Sequence, residues 1–220
     1  MTRLARHPRI RVSVVSGRRL AHVRKLLPVP GILLAGTYGV EMQLPNGQEL
    51  HRVSFDQVRP VLDAVKPGWA GLIDGREGYF LEDKRWALAI HGRHAKDGQA
   101  YSVLEAGREI AEEALRDVEP GLFRLLGGYK FLEIGPTLAH KGKTVAYLLD
   151  QRPLAGALPL YLGDDDKDEE AFGVLHQHGG LAIVVTRTPR ESLADCRLES
   201  PKAVHRWLED LLQGMAGGSG

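Results

Sequence analysis

Hydrophobic and polar positions change their spacing several times along the first fifty residues, and each change predicts a new element. Residues 10–15 form an apolar-rich run that predicts a buried strand. In residues 19–27 the apolar positions recur at intervals of three and four and Pro28 follows, which predicts a helix. A second short strand is expected at residues 32–35, before Gly36. A hairpin around a Pro-Asn-Gly turn is predicted at 40–44 and 49–53.

The middle of the chain has a different pattern, which predicts an inserted α+β module between about Ser54 and Pro136. Hairpin-like strands are expected at 71–74, 79–82 and 86–91. A helix and two further strands are expected at 105–118, 122–126 and 130–134.

After Pro136 the alternation of strands and helices returns. Helices are predicted at 140–149, 167–176 and 201–212, and strands at 158–162 and 181–185. The small residues of 214–220 predict a disordered tail. This alternation favours an α/β protein with a mostly parallel sheet, helices on both faces, and a ligand site at the carboxyl ends of the strands.

Composition narrows the class of protein further. Of the 220 residues, 43% are apolar and 26% are charged, which is typical of a globular domain rather than a disordered or fibrous chain. The single cysteine, Cys196, excludes an intrachain disulfide and a multi-cysteine zinc site and favours a reducing compartment. No apolar segment is long enough for a secretory signal or a membrane span. A cytoplasmic protein without a membrane partner is therefore expected.

Charge is balanced over the chain, with 29 Lys plus Arg against 28 Asp plus Glu, but it is uneven locally. Residues 1–40 carry eight basic and no acidic residues. A basic arm can bind nucleic acid, yet this one contains an apolar strand and a helical repeat and has no interleaved aromatic residues. We therefore expect a solvated basic face and no nucleic-acid partner.

The segment YLGDDDKDEEAF, residues 161–172, carries the densest charge. An apolar strand ends at Gly163 and six carboxylates follow within residues 164–170. Adjacent carboxylates repel each other, and a divalent cation such as Mg²⁺, which prefers hard oxygen ligands, removes that repulsion. The alternative is an acidic helix start, since carboxylates also suit the first turn of a helix.

Two lysines, Lys141 and Lys143, stand at the predicted start of a helix in HKGKTVAYLL, residues 140–149. A cation there opposes the helix dipole and suggests a functional role, although a surface lysine is the alternative. A Walker loop is excluded, because Thr137 occupies the position where that loop needs glycine.

Two more segments carry candidate site residues. In VVSGR, residues 14–18, a serine and a glycine join a strand to a helix, which suits a phosphate seat; Val14 excludes a nucleophile elbow. In EDKRWALAIHGR, residues 82–93, four polar residues have offsets that let several share one strand face, either as a site or as an ordinary polar face: Glu82, Lys84, His91 and Arg93. The spacing of the histidines there does not match a zinc-binding HExxH helix.

Taken in order, VVSGR, LLAGTYGVE, EDKRWALAIHGR, FLEIGPTLAHKGKTVAYLL and YLGDDDKDEEAF resemble the trehalose-6-phosphate phosphatase family of the haloacid dehalogenase superfamily. The resemblance extends from about Leu4 to Leu212. It implies a Rossmann-like hydrolase core at 1–50 and 137–220, with an inserted α+β cap at 51–136.

The resemblance also implies residue roles and a Mg²⁺ cofactor. Ser16 would bind the transferring phosphoryl group, Lys141 would stabilise the nucleophile and the phosphate, and Asp164 would hold Mg²⁺ with support from Asp168. The residues implied to bind the sugar are Glu82, Lys84, Glu133, His91 and Arg93.

The sequence departs from the family in its first motif, DxDGT, which supplies the nucleophilic aspartate and is absent here. We therefore expect an N-terminally truncated chain that lacks the first strand of its parallel sheet and does not turn over. Tyr38, Gly92 and Gly135 replace a common histidine, aromatic residue and arginine.

The expected function is hydrolysis of a sugar phosphate, trehalose 6-phosphate. Another glycosyl phosphate, such as sucrose phosphate or mannosylphosphoglycerate, is the alternative substrate. A non-catalytic sugar-phosphate-binding or regulatory module is the alternative class, and association with a trehalose-phosphate synthase is an expected partnership.

Overall fold

The structure is a computed structural model that describes residues 1–96 and 98–217. Its packing divides into two compact units: a terminal unit, Met1–Val12 with His140–Gly220, and a central unit, Ser13–Ala139. The assignment of residues 1–50 and 137–220 to a core and of 51–136 to a cap stays a prediction.

The helices and strands follow one another along most of the chain. In the first half they are α1 (Thr2–Arg6), β1 (Ser13–Val15), α2 (Leu20–Leu26), β2 (Leu33–Gly36), β3 (Glu41–Gln43), β4 (Glu49–His51), α3 (Phe55–Ile73), β5 (Phe80–Asp83), β6 (Leu88–His91) and α4 (Ala100–Ala114). In the second half they are β7 (Phe123–Gly128), β8 (Phe131–Pro136), α5 (Lys141–Gln151), β9 (Leu160–Gly163), α6 (Glu169–Gln177), β10 (Leu181–Val185), β11 (Cys196–Leu198) and α7 (Pro201–Gly217).

The terminal unit is built on a parallel sheet in the order β11-β10-β9. Strand β10 is the central strand, and its continuous apolar run suits burial on both faces. Phe172 of α6 is fully buried against Ala182 and Val184 of this strand. The strand predicted at 181–185 is confirmed, whereas β11 was not predicted because none of its three residues is a strong strand former.

The C-terminal helix is longer than the sequence pattern suggested. Residues 214–217, which were expected to belong to a disordered tail, continue α7. Apolar positions with helical spacing extend through Leu211 and Met215, so the half-buried stripe of the helix does not stop at residue 212. Residues 218–220 of the expected tail lie outside the described residues.

The central unit contains two four-stranded sheets. In the first, β1-β2-β3-β4, β1 and β2 pair in parallel and the other neighbours are antiparallel. The second, β5-β6-β8-β7, is antiparallel throughout. Parallel pairing, which the alternation of elements predicted, is thus confirmed in both units, and the α+β character of the middle segment is confirmed in the second sheet.

Helix α3 corrects the prediction of a strand at 71–74. Its buried side chains, Val58, Leu62, Val65 and Trp69, are spaced by four, three and four residues and belong to the main hydrophobic core of the central unit. Proline normally breaks a helix interior, and two prolines lie inside α3. Both are exposed, so the buried stripe continues uninterrupted past them. Trp69 also donates a 2.7 Å hydrogen bond to the carbonyl of Gly107 in α4.

Among the described residues, no helix combines the length and the apolar character that crossing a bilayer requires.

Candidate active site

A buried lysine lies among carboxylates where β9 ends and α5 begins. Lys141 is 6% exposed, and its Nζ is 2.6 Å from Oδ1 of Asp168 and 3.3 Å from Oδ1 of Asp165. Asp164 directly follows β9. These four residues are called the lysine–carboxylate cluster below. The structure thus brings together three of the predicted site residues, Lys141, Asp164 and Asp168, within the terminal unit.

Asp168 is a fully used hydrogen-bond acceptor. Besides Lys141, the hydroxyl of Tyr161 donates to Oδ1 at 2.8 Å, and the backbone N–H groups of Asp164 and Asp165 donate to Oδ2 at 2.9 and 3.0 Å. A Cβ at Gly163 would lie 2.3 Å from the Asp168 side chain, so only glycine fits there. Asp168 therefore fixes both the ammonium group and the turn after β9.

Tyr161 is a member of this arrangement that sequence reasoning missed. Burial and then the negative charge of Asp168 raise the pKa of its hydroxyl well above the usual range. The hydroxyl therefore stays protonated and serves as a donor. Its position in the apolar strand YLG gave no signal of this role.

Asp164 differs from the other carboxylates of the segment. The residue is exposed, and its side chain makes no hydrogen bond or ion pair with any residue that the structure describes. Only its backbone N–H is used, as a donor to Asp168. Within the described ranges, no three His, Cys, Asp or Glu side chains are grouped so that they alone could hold a metal ion. Mg²⁺ is commonly bound through one or two carboxylates, with water and substrate phosphate completing its shell. The donor set fits such a site through Asp164, whereas the oxygens of Asp168 are already used.

The other carboxylates of the acidic segment stabilise the start of α6 and its surroundings, as the alternative of an acidic helix start implied. Asp165 caps this turn by accepting from the Lys167 N–H at 2.7 Å. Glu169 accepts from Ser192 and from the Leu193 N–H at 2.9 and 2.8 Å. The remaining contacts are Asp166 with Arg190, and Glu170 with the Lys141 N–H and with His140.

Close approach of α5 to α6 also depends on a glycine. A Cβ at Gly142 would lie 2.4 Å from the carbonyl oxygen of Glu170. The carboxylate of Glu170 in turn accepts the backbone N–H of Lys141 at 3.1 Å, which secures the first turn of α5. Contacts with Glu170 of α6 therefore fix the first turn of α5, and this turn positions Lys141 of the KGK motif.

In the central unit, Ser16 follows β1 and begins the VVSGR turn. Its Oγ accepts the Arg18 N–H at 3.2 Å, and its carbonyl accepts the Tyr38 N–H at 2.8 Å. A Cβ at Gly17 would lie 2.6 Å from the ring of Tyr38, so glycine is required beneath this ring. Tyr38 thus covers the predicted phosphate seat from the turn after β2.

The backbone around Tyr38 is in an uncommon conformation. Thr37 and Tyr38 have φ values of 45° and 54°, in the left-handed region that non-glycine residues rarely occupy. Two buried hydrogen bonds to Oε1 of Glu41 hold the turn, from the Thr37 hydroxyl at 3.0 Å and from the Leu20 N–H at 2.8 Å. Strain of this kind persists where the surroundings enforce it and is frequent at functional sites.

One face of the β5-β6-β8-β7 sheet carries the predicted sugar-binding residues. Lys84 and Glu133 form a buried ion pair with a distance of 2.6 Å between Nζ and Oε2. His91 Nε2 lies 2.9 Å from Oε2 of Glu82, and this hydrogen bond holds the pKa of Glu82 below its usual range. Lys84 Nζ also lies 5.8 Å from the centre of the Tyr38 ring, within cation–π range. Tyr38 therefore links Ser16 to this face.

Arg93, the fifth residue implied to bind the sugar, follows β6. It lies in the exposed turn after β6 and makes no hydrogen bond or ion pair with the residues that the structure describes. The neighbouring Gly92 has a structural reason, since a Cβ there would meet the Tyr79 ring at 2.8 Å. Tyr79 thus fills the space next to Gly92.

Comparisons with known proteins address the family of the chain. A family model described as trehalose-phosphatase matches residues 1–202. Probable trehalose-phosphate phosphatase D of Arabidopsis thaliana is 30% identical over 214 residues, which cover 91% of this chain and 56% of that protein. Trehalose-phosphate phosphatase of Mycobacterium tuberculosis is 32% identical over 207 residues, which cover 91% and 51%. The chain thus spans about half the length of these curated relatives.

A solved structure shows the same fold. The structure of Aspergillus fumigatus trehalose-6-phosphate phosphatase aligns with a TM-score of 0.67 at 24% identity and covers 96% of this chain and 80% of that chain. The α/β fold expected from the resemblance is thereby confirmed. With the family model matching most of its length, the chain belongs to the trehalose-phosphatase family.

Proposed function

We propose that this chain binds trehalose 6-phosphate and contributes to its hydrolysis, in which trehalose 6-phosphate and water give trehalose and phosphate. The observation that carries the proposal is the lysine–carboxylate cluster, where Asp168 holds both the buried ammonium group of Lys141 and the backbone of the turn that carries the exposed Asp164. Ammonium groups bind phosphate oxygens, and a fixed ammonium stabilises the charge that develops on them during transfer.

The charge of the cluster supports a role for a divalent cation. The cluster contains one lysine and three aspartates, and the lysine pairs with Asp165 and Asp168, so the cluster carries an excess of negative charge. Two unit charges 4 Å apart interact by about 4 kcal/mol in a partly screened site, so a phosphate dianion is repelled here unless a cation is bound. We propose Mg²⁺ as that cation and Asp164 as its protein ligand. When bound, it would neutralise charge on the phosphate.

The roles of this chain's own residues follow from their contacts. Asp168 acts as a positioning residue, because it holds Lys141 and the turn that carries Asp164. Ser16, at a strand end before a helix, is proposed to bind phosphate oxygens. On the sheet face of the central unit, Lys84 and Glu133 are proposed to donate to and accept from sugar hydroxyls.

Binding and turnover have to be measured separately, because the nucleophile motif DxDGT is not within these 220 residues. We propose that the chain as given binds the substrate but releases no phosphate. Release of phosphate from trehalose 6-phosphate by the purified chain would contradict this. Fusion of a DxDGT strand ahead of β1 should restore release, whereas binding without release in that fusion would favour the non-catalytic alternative.

Titration calorimetry tests the phosphate site. Trehalose 6-phosphate should bind with Mg²⁺ present and much more weakly without it. Asp164→Asn should abolish that difference, and Asp166→Asn, whose side chain is 97% exposed and pairs with Arg190, should behave like the unaltered chain. Equal binding with and without Mg²⁺, or equal effects of the two substitutions, would refute the metal assignment.

Sucrose phosphate and glucose 6-phosphate in the same titrations test the choice of sugar. If either one bound more tightly, it would be the preferred ligand instead of trehalose 6-phosphate.

The exposed free thiol of Cys196 suits a reducing compartment, and we propose a cytoplasmic location on that ground. Association with a trehalose-phosphate synthase stays a prediction.

A further inference from the structure

We infer that Phe80 forms, with His91, a stacking platform for the second, unphosphorylated sugar ring of a disaccharide phosphate. This inference rests on the proposed function and extends it from the phosphate and the hydroxyl contacts to the recognition of a second ring. Phe80 was not among the residues that the sequence motifs indicated. The exposed position of its ring, on the same sheet face as Glu82 and Glu133, points to this role.

Strand register arranges this face in rows. Phe80 of β5 is opposite His91 of β6, which is opposite Phe131 of β8, so three rings form an aromatic row across the sheet. In the next row along the strands, Ala89 lies between Glu82 and Glu133. Side chains two positions apart on a strand point to the same face. An aromatic row therefore lies beside a carboxylate row.

The platform is held in place before any ligand binds. The rings of Phe80 and His91 are stacked, with 4.4 Å between centroids and 8° between planes. His91 is in turn fixed by its hydrogen bond to Glu82 and by contact with Phe131 at 5.2 Å between centroids. A ring that is already ordered loses little entropy on binding, which increases affinity.

Phe80 nevertheless keeps half of its surface in water, with 50% exposure. One face of a pyranose ring presents apolar C–H groups, whereas the face of an aromatic ring is electron-rich and apolar. Stacking the two removes apolar surface from water on both partners. The polar edge of the same sugar ring needs hydrogen-bonding groups, and the adjacent carboxylate row provides them.

Spacing along the sheet separates the two sugars. Successive rows are about 6.6 Å apart, since they are two residues apart and a strand rises about 3.3 Å per residue. Lys84 lies one row beyond Glu82, near Tyr38, and Tyr38 contacts the Ser16 turn. A ligand whose phosphate is near Ser16 would place its first ring over the carboxylate row and its second ring over the aromatic row. The face thus selects a disaccharide phosphate over a monosaccharide phosphate.

Titration calorimetry of the full chain with Mg²⁺, trehalose 6-phosphate and glucose 6-phosphate tests the platform. Phe80→Ala should weaken binding of trehalose 6-phosphate about tenfold, which corresponds to burial of part of one ring face. Glucose 6-phosphate, which has no second ring, should bind as before. Phe80→Trp should retain affinity for the disaccharide phosphate. The matched control is Tyr129→Ala, at an aromatic side chain that is 81% exposed and lies in the turn between β7 and β8 of the same unit.

Different outcomes separate the inference from the proposed function. If the unaltered chain does not bind trehalose 6-phosphate, the proposed function fails and the platform with it. If the unaltered chain binds it and Phe80→Ala binds it equally well, or loses both ligands equally, only the platform is refuted. Should Phe80→Ala melt at a lower temperature than the unaltered chain, Phe80→Leu carries the test. Leucine keeps the apolar contact with His91 but offers no flat ring, so it should show the same selective loss.

Discussion

Replacement of Asp168 by asparagine should destabilise the terminal unit more than any other single change in the lysine–carboxylate cluster. The carboxylate accepts hydrogen bonds from Lys141, Tyr161 and two backbone N–H groups. An amide accepts only on its oxygen and donates from its nitrogen. If the amide nitrogen faced the backbone, it would point at the N–H groups of Asp164 and Asp165, which are donors themselves and cannot accept. The amide should therefore turn its nitrogen toward Lys141 and Tyr161.

In that orientation the hydroxyl of Tyr161 can rotate and accept, but the ammonium group of Lys141 cannot accept. Lys141, buried at 6% exposure, keeps only Asp165 at 3.3 Å. Removing one partner of a buried ion pair costs about 3–5 kcal/mol because the other charge is left uncompensated. Since Asp165 still compensates part of the charge, we expect about 3 kcal/mol for Asp168→Asn.

The reverse change should cost less. After Lys141→Met, Asp168 still accepts three hydrogen bonds, so its charge remains compensated. The loss is then about 1–2 kcal/mol, close to that of one charge-assisted hydrogen bond. Urea unfolding followed by far-ultraviolet circular dichroism measures both changes as shifts of the midpoint at constant slope. Asp166→Asn, at the exposed end of the same segment, is the control and should leave the midpoint unchanged. Equal losses for Asp168→Asn and Lys141→Met would refute the reasoning.

Two further predictions concern other parts of the fold. Asp83 accepts from an arginine and a lysine of α3, and the arginine hydrogen bond holds its pKa well below the ordinary 3.8. Asp83→Asn should therefore cost about 2 kcal/mol above pH 5. This difference should shrink as pH falls below 3.8, because the carboxyl group of the unfolded chain then takes up a proton that the folded chain, with its lowered pKa, does not. Urea midpoints at pH 7 and pH 3 that give the same difference would contradict this. Gly142→Ala should destabilise, because overpacking against a carbonyl of α6 costs about 1–3 kcal/mol. Gly173→Ala should stabilise by up to about 1 kcal/mol, since its Cβ would meet only ordinary contact at 3.7 Å; thermal melting with the same sign for both would contradict the packing argument.

Strands with continuous apolar runs could be predicted from the sequence, and helix α3 could not. The continuous apolar run of β10 predicts a buried strand, because parallel strands inside a protein are apolar on both faces. In α3, Pro60 and Pro67 interrupt the pattern, and a short-range rule treats each as the end of a helix. The helix persists because its buried stripe, anchored by Trp69, packs against the β5-β6-β8-β7 sheet. The apolar positions of α3 do recur at helical spacing, but the non-local packing that outweighs the effect of the prolines cannot be read from a short window.

Sequence motifs indicated many residues of the candidate site, but they did not indicate the tertiary contacts that fix those residues in position. Lys141 could be indicated because a cation at a helix start opposes the helix dipole, and Asp168 because it belongs to a dense run of carboxylates after a strand. Tyr38 could not, since its role depends on a left-handed turn and on a glycine more than twenty positions earlier in the chain. Its ring covers Gly17 and approaches Lys84, two contacts between segments that the sequence separates. Contacts of this kind are decided by tertiary packing rather than by local pattern.

The two buried lysine–carboxylate pairs differ in how fully their partners are used, and this difference separates their roles. Buried ion pairs add little net stability, because desolvation offsets their attraction. Asp168 has no accepting capacity left, so it can only fix the geometry around Lys141. Glu133 accepts from Lys84 through Oε2, and its Oε1 makes no hydrogen bond with the described residues. Lys84, whose ammonium has three protons, is 3.8 Å from its second carboxylate, Glu82. The Lys84–Glu133 pair thus retains both a donor and an acceptor for hydroxyl groups, which a purely structural pair would not need.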